Sequence, residues 1–457
     1  MVVRLQQCEE EPVPEHASDQ LTKALIVAAK TESTVQAYRH ILEEKARTDA
    51  TGVDAAKIAS PIHGWPFAVK EVLDIAGVQT SGGSAAFHGR IPETDATAVQ
   101  LLRHAGAVLV GTLISHELTC GLDTPPTRNP YDTDCYPGGS SAGAGVSVAV
   151  GSARFALGTD AAGSVRIPAV MTGTTGFKPT FGLISSHGVM RQATAPSIDH
   201  VGIIAKTASD VAEVFNVILA PDMQVSATLH HIAEPSASPI ACDGLRLAVL
   251  GKKTLAALAE IYPLDCEIEA AFLVACDTFR SAGARIEEIE IPALSQAIET
   301  IVTFFSAELS CAHADLLTSR RKSYHPGVLN MIEEAFTISA DQLLQAVRTR
   351  VAIRKDIASA FSATRAKFLL TPTTPRPAMS LGNFDPSKEL GSLITFTCGF
   401  NLSGNPAISL PCGQTAGGLP VGLQIVGPQY SDLSVLEISR HFQELTKWHR
   451  MRPPLIV

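Results

Sequence analysis

The chain has 457 residues, 46% of them hydrophobic and 18% charged, with a formal net charge of −9. This composition describes a globular protein with a sizeable buried core. The acidic balance argues against nucleic acid as a partner, because phosphate binding needs a concentrated cationic footprint. Nine scattered cysteines, without a C-x-x-C pair, fit a reduced, cytoplasmic chain better than a disulfide framework.

The opening residues, MVVRLQQCEEEPVPE, lack the apolar core of a signal peptide. From Ser18 to Thr48 strong helix formers dominate, which predicts two helices and makes residues 1–60 an N-terminal helical segment. WPFAVKEVLDIAG (65–77) holds a short β-like run with Lys70 at its end, and DATAVQLLRHAG (95–106) reads as a helix between an Asp cap and a terminal Gly. AVLVGT (107–112) follows as a buried strand. AGVSVAVGSARFALG (144–158) reads as a buried helix; its apolar part is broken by Arg154 and too short to span a bilayer. TASDVAEVFNVIL (207–219) is a capped helix, 221–243 a surface loop, and LRLAVLG (245–251) and ARIEEIEIP (284–292) are strands around a helical stretch. Residues 293–366 are helical in pattern, and strands return at 367–375, 405–413 and 421–428. This alternation predicts an α/β fold: a mixed, twisted central β-sheet covered by helices on both faces, in a single domain over 1–457.

Two segments set serines among small residues: YPGGSSAGAG (136–145) and GTDAAGSVRIPA (158–169). A serine nucleophile needs a base to take its proton. The G-x-S-x-G motif is absent, neither segment contains a histidine, and no H-x-x-x-H or H-E-x-x-H spacing offers a zinc site. His63 and the Asp199-His200 pair read more readily as structural. Lys70, in the apolar run FAVKEV, is the remaining candidate: burial lowers a lysine pKa, although a long stem could also carry the ammonium to the surface. On the residues alone both readings stay open.

GGSSAGAGVSVAVGSARFALGTDAAGSVRIPA (138–169) closely resembles the signature of the amidase signature enzymes. PIHGWPFAVKEVLDIAGVQTSGGS (61–84) resembles the family's lysine block, and PTRNPYD, GFKPTFGLIS, SIDHVG, LLTPTTPRPA and NLSGNPAISLPCG follow in the family's order. The resemblance spans roughly residues 35–450, and so dispersed a set of matches is specific. It implies a Ser–cis-Ser–Lys triad and an acyl-enzyme mechanism, with Ser164 as nucleophile, Ser140 as bridging serine after a cis peptide, and Lys70 as base. Backbone N–H groups of Ala161, Ala162, Gly163 and Ser164 would form the oxyanion hole. Ser141, Asp160 and Arg166 would support the loop. The chain departs from the family's usual glycines at Ala142 and Ala162.

The resemblance implies an amidohydrolase; the missing metal-ligand spacings and apolar spans lead to the expectation of no cofactor, no metal and no membrane attachment, and the sequence leaves monomer and homodimer both open. Residues 293–366 and the loop 115–136 are expected to shape the substrate pocket, with Phe304 and Phe305 available for an apolar acyl or aryl group. No charge pattern marks a dicarboxylate substrate, which favours a small neutral amide, an anilide or a carbamate. The alternative is a partner-dependent subunit: relatives in this family act inside amidotransferase complexes, supplying ammonia to another protein that modifies tRNA. A catalytically dead binding protein is the third reading, disfavoured by the intact Lys70, Ser140 and Ser164.

Overall fold

The computed structural model describes residues 16–56, 58–219, 222 and 240–456. The chain begins with α1 (Ala17–Val35), β1 (Tyr38–Ile41), α2 (Glu43–Ala56), β2 (Pro66–Lys70), α3 (Thr97–His104) and β3 (Val108–Leu113). It continues through α4 (Ala142–Val150), β4 (Phe155–Thr159), α5 (Arg166–Met171), β5 (Thr175–Lys178), β6 (Val201–Ala205) and α6 (Ala208–Ile218). Next come β7 (Arg246–Leu250), α7 (Lys252–Ile261), α8 (Cys266–Ser281), β8 (Arg285–Ile289), α9 (Ala297–His313), α10 (Leu317–Arg320), α11 (Pro326–Ala335) and α12 (Ala340–Thr364). The last elements are β9 (Phe368–Pro372), α13 (Pro386–Ile394), α14 (Cys398–Ser403), β10 (Ala407–Gln414), β11 (Pro420–Val426) and α15 (Asp432–Thr446).

The eleven strands of the described residues form one mixed sheet in the order β1-β3-β2-β4-β6-β5-β10-β11-β9-β7-β8. β2 runs parallel to β3 and β4, and β7 parallel to β8 and β9; the remaining pairs are antiparallel. Strand side chains alternate between faces. Phe67, Val69, Leu109, Ile203 and Leu370 join one core with residues of α3, α6, α8 and α15. Their neighbours Ala68, Val108 and Ile204 pack with α1 and α4, and Leu369 with α9 and α12. The sheet is therefore covered on both faces, as its two-sided apolar strands require.

Three local expectations need correction. The N-terminal segment is not wholly helical: Tyr38–Ile41 forms β1 and pairs antiparallel with β3 at the sheet edge. Residues 144–158 are not one helix, because Gly151 takes a left-handed conformation (φ 86°) that ends α4, and Phe155–Thr159 becomes a central strand. A strand buried on both faces and a buried helix read alike in an unbroken apolar run. Asp95 does not cap α3; it accepts from Ala76 N at 2.8 Å and from Arg103 Nη1 at 3.0 Å. The capped helix at 208–218 is present, with the Thr207 side chain accepting from Asp210 N. The loop expected at 221–243 lies, apart from residues 222 and 240–243, outside the described residues.

Candidate active site

Lys70 ends β2 and Thr159 ends the parallel neighbour β4, so both project from the carboxyl ends of adjacent strands, where open α/β sheets place their ligands. Ser140 and Ser141 precede α4, and Ser164 sits in the turn between β4 and α5. Lys70 is fully enclosed, and its Nζ donates to Ser140 Oγ at 2.7 Å and to Thr159 Oγ1 at 3.1 Å. The peptide between Gly139 and Ser140 is cis. Ser140 and Ser164 line the same pocket, and Ser141 N donates to Ser164 O at 3.2 Å, tying the two serine segments together. Among the described residues Ser164 Oγ makes no hydrogen bond to another side chain. Ser141 Oγ points back to Thr159 O at 3.3 Å.

Burial pushes the Lys70 ammonium down to about 8, against the opposing pull of Asp199, Asp160 and Glu71. A lysine so placed is half neutral near pH 8, and its neutral form can accept a proton through Ser140.

The Ser164 loop is held by Asp160. Its carboxylate accepts from Gly163 N (2.8 Å) and Val165 N (3.1 Å), and from Arg166 Nε (3.0 Å) and Nη2 (2.8 Å). Burial raises the Asp160 carboxyl, but the Arg166 charge and the Arg166 and Asn401 hydrogen bonds outweigh it and hold it well below the usual carboxylate range. Arg166, itself fully buried, spends its other donors on Thr397 O (3.1 Å), Gln424 Oε1 (2.7 Å) and Asn401 Oδ1 (2.6 Å). All five guanidinium donors are thus used within the protein. One expectation changes here: the Gly163 N–H, assigned to the oxyanion hole, is taken by Asp160. Among the described residues the N–H groups of Ala161, Ala162 and Ser164 have no acceptor.

Sequence reasoning did not single out the chain of polar groups behind Ser140. Tyr136 Oη lies 2.9 Å from His116 Nε2, His116 Nδ1 lies 3.0 Å from Asp123 Oδ1, and His116 N donates to Ser140 O at 3.1 Å. A Cβ on Gly139 would collide with both the His116 ring and the Tyr136 hydroxyl, so only glycine fits there. Thr159, Asn401 and Gln424 were missed as well: Thr159 and Asn401 stand inside segments that resemble the family, where nothing in the pattern gives them a role, and Gln424 stands in a strand far from Arg166 in sequence.

The pocket above Ser164 is apolar. Ile301, Val302 and Phe305 come from α9, Met331 from α11, and Leu390, Leu393 and Ile394 from α13; no charged side chain lines it. Loop 115–136 contributes Thr119, Cys120, Gly121 and Tyr136. Phe305 is in the lining. Phe304 is not: it packs in the core, with the Arg350 guanidinium 5.3 Å over its ring. Among the described residues no group of three or more His, Cys, Asp or Glu side chains could hold a metal ion, and no helix is long and apolar enough to cross a membrane.

The amidase family model matches residues 20–436. A protein of Roseiflexus sp. (strain RS-1), named as one of the subunits of glutamyl-tRNA(Gln) amidotransferase, is 34% identical over 97% of this chain and 96% of its own length. Among solved structures, a chain from an unexpected vestigial protein complex, described for the origins of an s-triazine catabolic enzyme, superposes with a TM-score of 0.85. It is 28% identical, over 94% of this chain and 95% of the other. The peptide amidase of Stenotrophomonas maltophilia superposes with a TM-score of 0.81 at 26% identity, over 96% and 95% of the two chains. The chain belongs to the amidase signature family and is an amidohydrolase acting on carbon–nitrogen bonds.

Proposed function

We propose that the protein hydrolyses neutral amides of modest size, anilides and carbamates included, with Ser164 as nucleophile, Ser140 as proton relay and Lys70 as base. Neutral Lys70 takes the Ser140 proton as Ser140 takes that of Ser164, whose Oγ bonds to the substrate carbonyl carbon. The tetrahedral oxyanion is met by the N–H groups of Ala161, Ala162 and Ser164, and the relay runs back to protonate the leaving amine. Water then hydrolyses the acyl-enzyme. The observation that carries the substrate reading is the lining over Ser164: aliphatic, aromatic and uncharged. An acyl group bearing an ammonium or carboxylate would be desolvated there without a partner, at a cost of several kcal/mol.

A second reading has its own support, and the comparisons weigh toward it more than toward the first. The relative at 34% identity is named as belonging to an amidotransferase of several subunits. On that reading the chain releases ammonia from a primary amide for a protein partner and does little alone. The two are separated by one panel, run with the purified chain and its Ser164→Ala variant: an aliphatic amide, an anilide and an aryl carbamate against asparagine and glutamine. Turnover of the uncharged compounds by the unmodified chain alone supports the first reading. Ammonia from the amino-acid amides, or no turnover of anything, moves the weight to the second.

A further inference from the structure

A second cavity, of ≈ 1190 Å³, shares no lining residue with the pocket over Ser164. The late turns of α12 form one part of it, and the segments that follow β5, α14 and β11 form the rest. Arg354 and Lys355 come from α12, Arg365 and Lys367 from the link into β9, and all four are exposed. Among the described residues no carboxylate lines the cavity, and none forms an ion pair with these four cations. Asp432, which accepts from Thr180 N at 2.7 Å and Oγ1 at 2.6 Å, is buried and outside the lining. So one-sided a group is unexpected in a chain of net charge −9. The helix dipole accounts for Arg365 at the carboxyl end of α12, but its effect is confined to the last turn. Arg354 and Lys355 lie about three turns earlier.

The inner wall is built from polar groups held in place. Arg354 Nε and Gln429 Nε2 both donate to Ser403 O, at 3.3 Å and 2.6 Å. A Cβ built on Gly404 would meet Phe181 Cβ at 3.1 Å, Gln429 Nε2 at 3.3 Å and Arg354 Nη2 at 3.7 Å, so three segments distant in sequence converge there. With Nε committed, the Arg354 guanidinium keeps both Nη groups, which have no acceptor among the described residues. Ser403, 1% exposed, lines the cavity, and its Oγ is buried without a partner among the described residues. An unsatisfied buried hydroxyl is costly, and a ligand oxygen or a water at this wall supplies the missing partner. Phe181 and Tyr430, both part-buried, add aromatic surface to the same cavity.

We propose that this cavity binds a phosphorylated small molecule with an aromatic ring, of the nucleoside diphosphate class. The guanidinium and ammonium groups meet the phosphates, Arg354 through its two free Nη groups, and Phe181 and Tyr430 meet the base. The volume exceeds the roughly 300–1,000 Å³ of ordinary small-molecule sites, so a whole nucleotide fits, whereas a lone phosphate ion would leave the aromatic surface unused. No carboxylate is present to hold a metal ion beside the phosphates, and the four cations neutralise them instead. The site stands whichever substrate Ser164 attacks, because the two pockets have no residue in common.

The test is a binding measurement and needs no amide substrate. The full chain is titrated by calorimetry with ADP, UDP, inorganic pyrophosphate and adenosine, at low salt and without divalent cations. ADP or UDP is expected to bind at one per chain, more tightly than pyrophosphate or adenosine, and to weaken as salt rises. Lys355→Gln, Arg365→Gln and Lys367→Gln are combined in one variant. These side chains are exposed and make no hydrogen bond among the described residues, so the variant is expected to fold, as circular dichroism would report. It is expected to bind the nucleotide at least about tenfold more weakly. Arg354→Gln probes the inner wall in the same way. The proposal is overturned if neither nucleotide binds, if the triple variant binds as tightly as the unmodified chain, or if pyrophosphate or adenosine binds as tightly as ADP and UDP. Tighter binding of a poly-glutamate peptide than of either nucleotide overturns it in favour of an acidic segment of a partner protein.

Discussion

Lys70 occupies the position where burial and charge compete most directly. Enclosure favours the neutral amine, and its folded value near 8 lies below the ordinary lysine value of 10.5. Only the neutral form accepts a proton, so activity is expected to rise with pH, reach half its maximum near pH 8 and level off above. A pH–rate profile of kcat/KM checks this, and a rate that peaks near pH 5 and falls thereafter contradicts a lysine base. Lys70→Met removes the acceptor and is expected to lower kcat by about 10²–10⁴-fold, the usual worth of a general base. Lys70, Ser140 and Ser164 were legible in the sequence because each stands inside a family motif. The Tyr136–His116–Asp123 chain was not, because its members come from a loop whose φ/ψ values, Leu118 at φ 47° and Thr119 at φ 59°, follow no periodic pattern.

At the scale of elements, α9 shows what a helical pattern conveys and what it leaves out. Adjacent phenylalanines on a helix point about 100° apart, so Phe304 and Phe305 meet different surroundings, and the sequence does not say which of them faces the pocket. The structure turns Phe305 to the pocket and Phe304 to the core. Phe305→Ala is therefore expected to shift substrate preference toward bulkier acyl groups with little loss of stability. Phe304→Ala is expected to cost about 3–5 kcal/mol of stability; chemical denaturation and a substrate panel on both variants test the contrast. The α13 contribution to the pocket was equally hidden, since Leu390, Leu393 and Ile394 lie outside the region expected to build it. The turn between β4 and α5 depends on Arg166, whose hydrogen bonds reach α14 and β11. Arg166→Met would leave the Asp160 carboxylate buried and unmatched, a loss of about 3–5 kcal/mol. The denaturation midpoint should drop accordingly, and activity should drop with it as the Ser164 loop loosens.

At the scale of the whole molecule, the sheet is not assembled in chain order. The strands from β1 to β6 form one run and β9-β7-β8 another, and only β10 and β11 join them: β10 pairs with β5, and β11 with β9. The alternating pattern along the chain conveyed the α/β class and most strands, but strand order depends on contacts between residues more than 200 positions apart, which local periodicity does not encode. A chain ending at Gly404 lacks both joining strands and Gln424, and is expected to show no cooperative thermal transition by circular dichroism. This topology has a consequence for how the protein is made. Lys70, Ser140 and Ser164 leave the ribosome early, yet the residues that lock the Ser164 loop through Arg166, Asn401 and Gln424, are among the last to be synthesised. N-terminal segments generally begin to fold first, but here the Ser164 loop is set only when translation is nearly complete. A stalled or clipped chain would therefore carry Ser164 without the frame that holds its loop in shape.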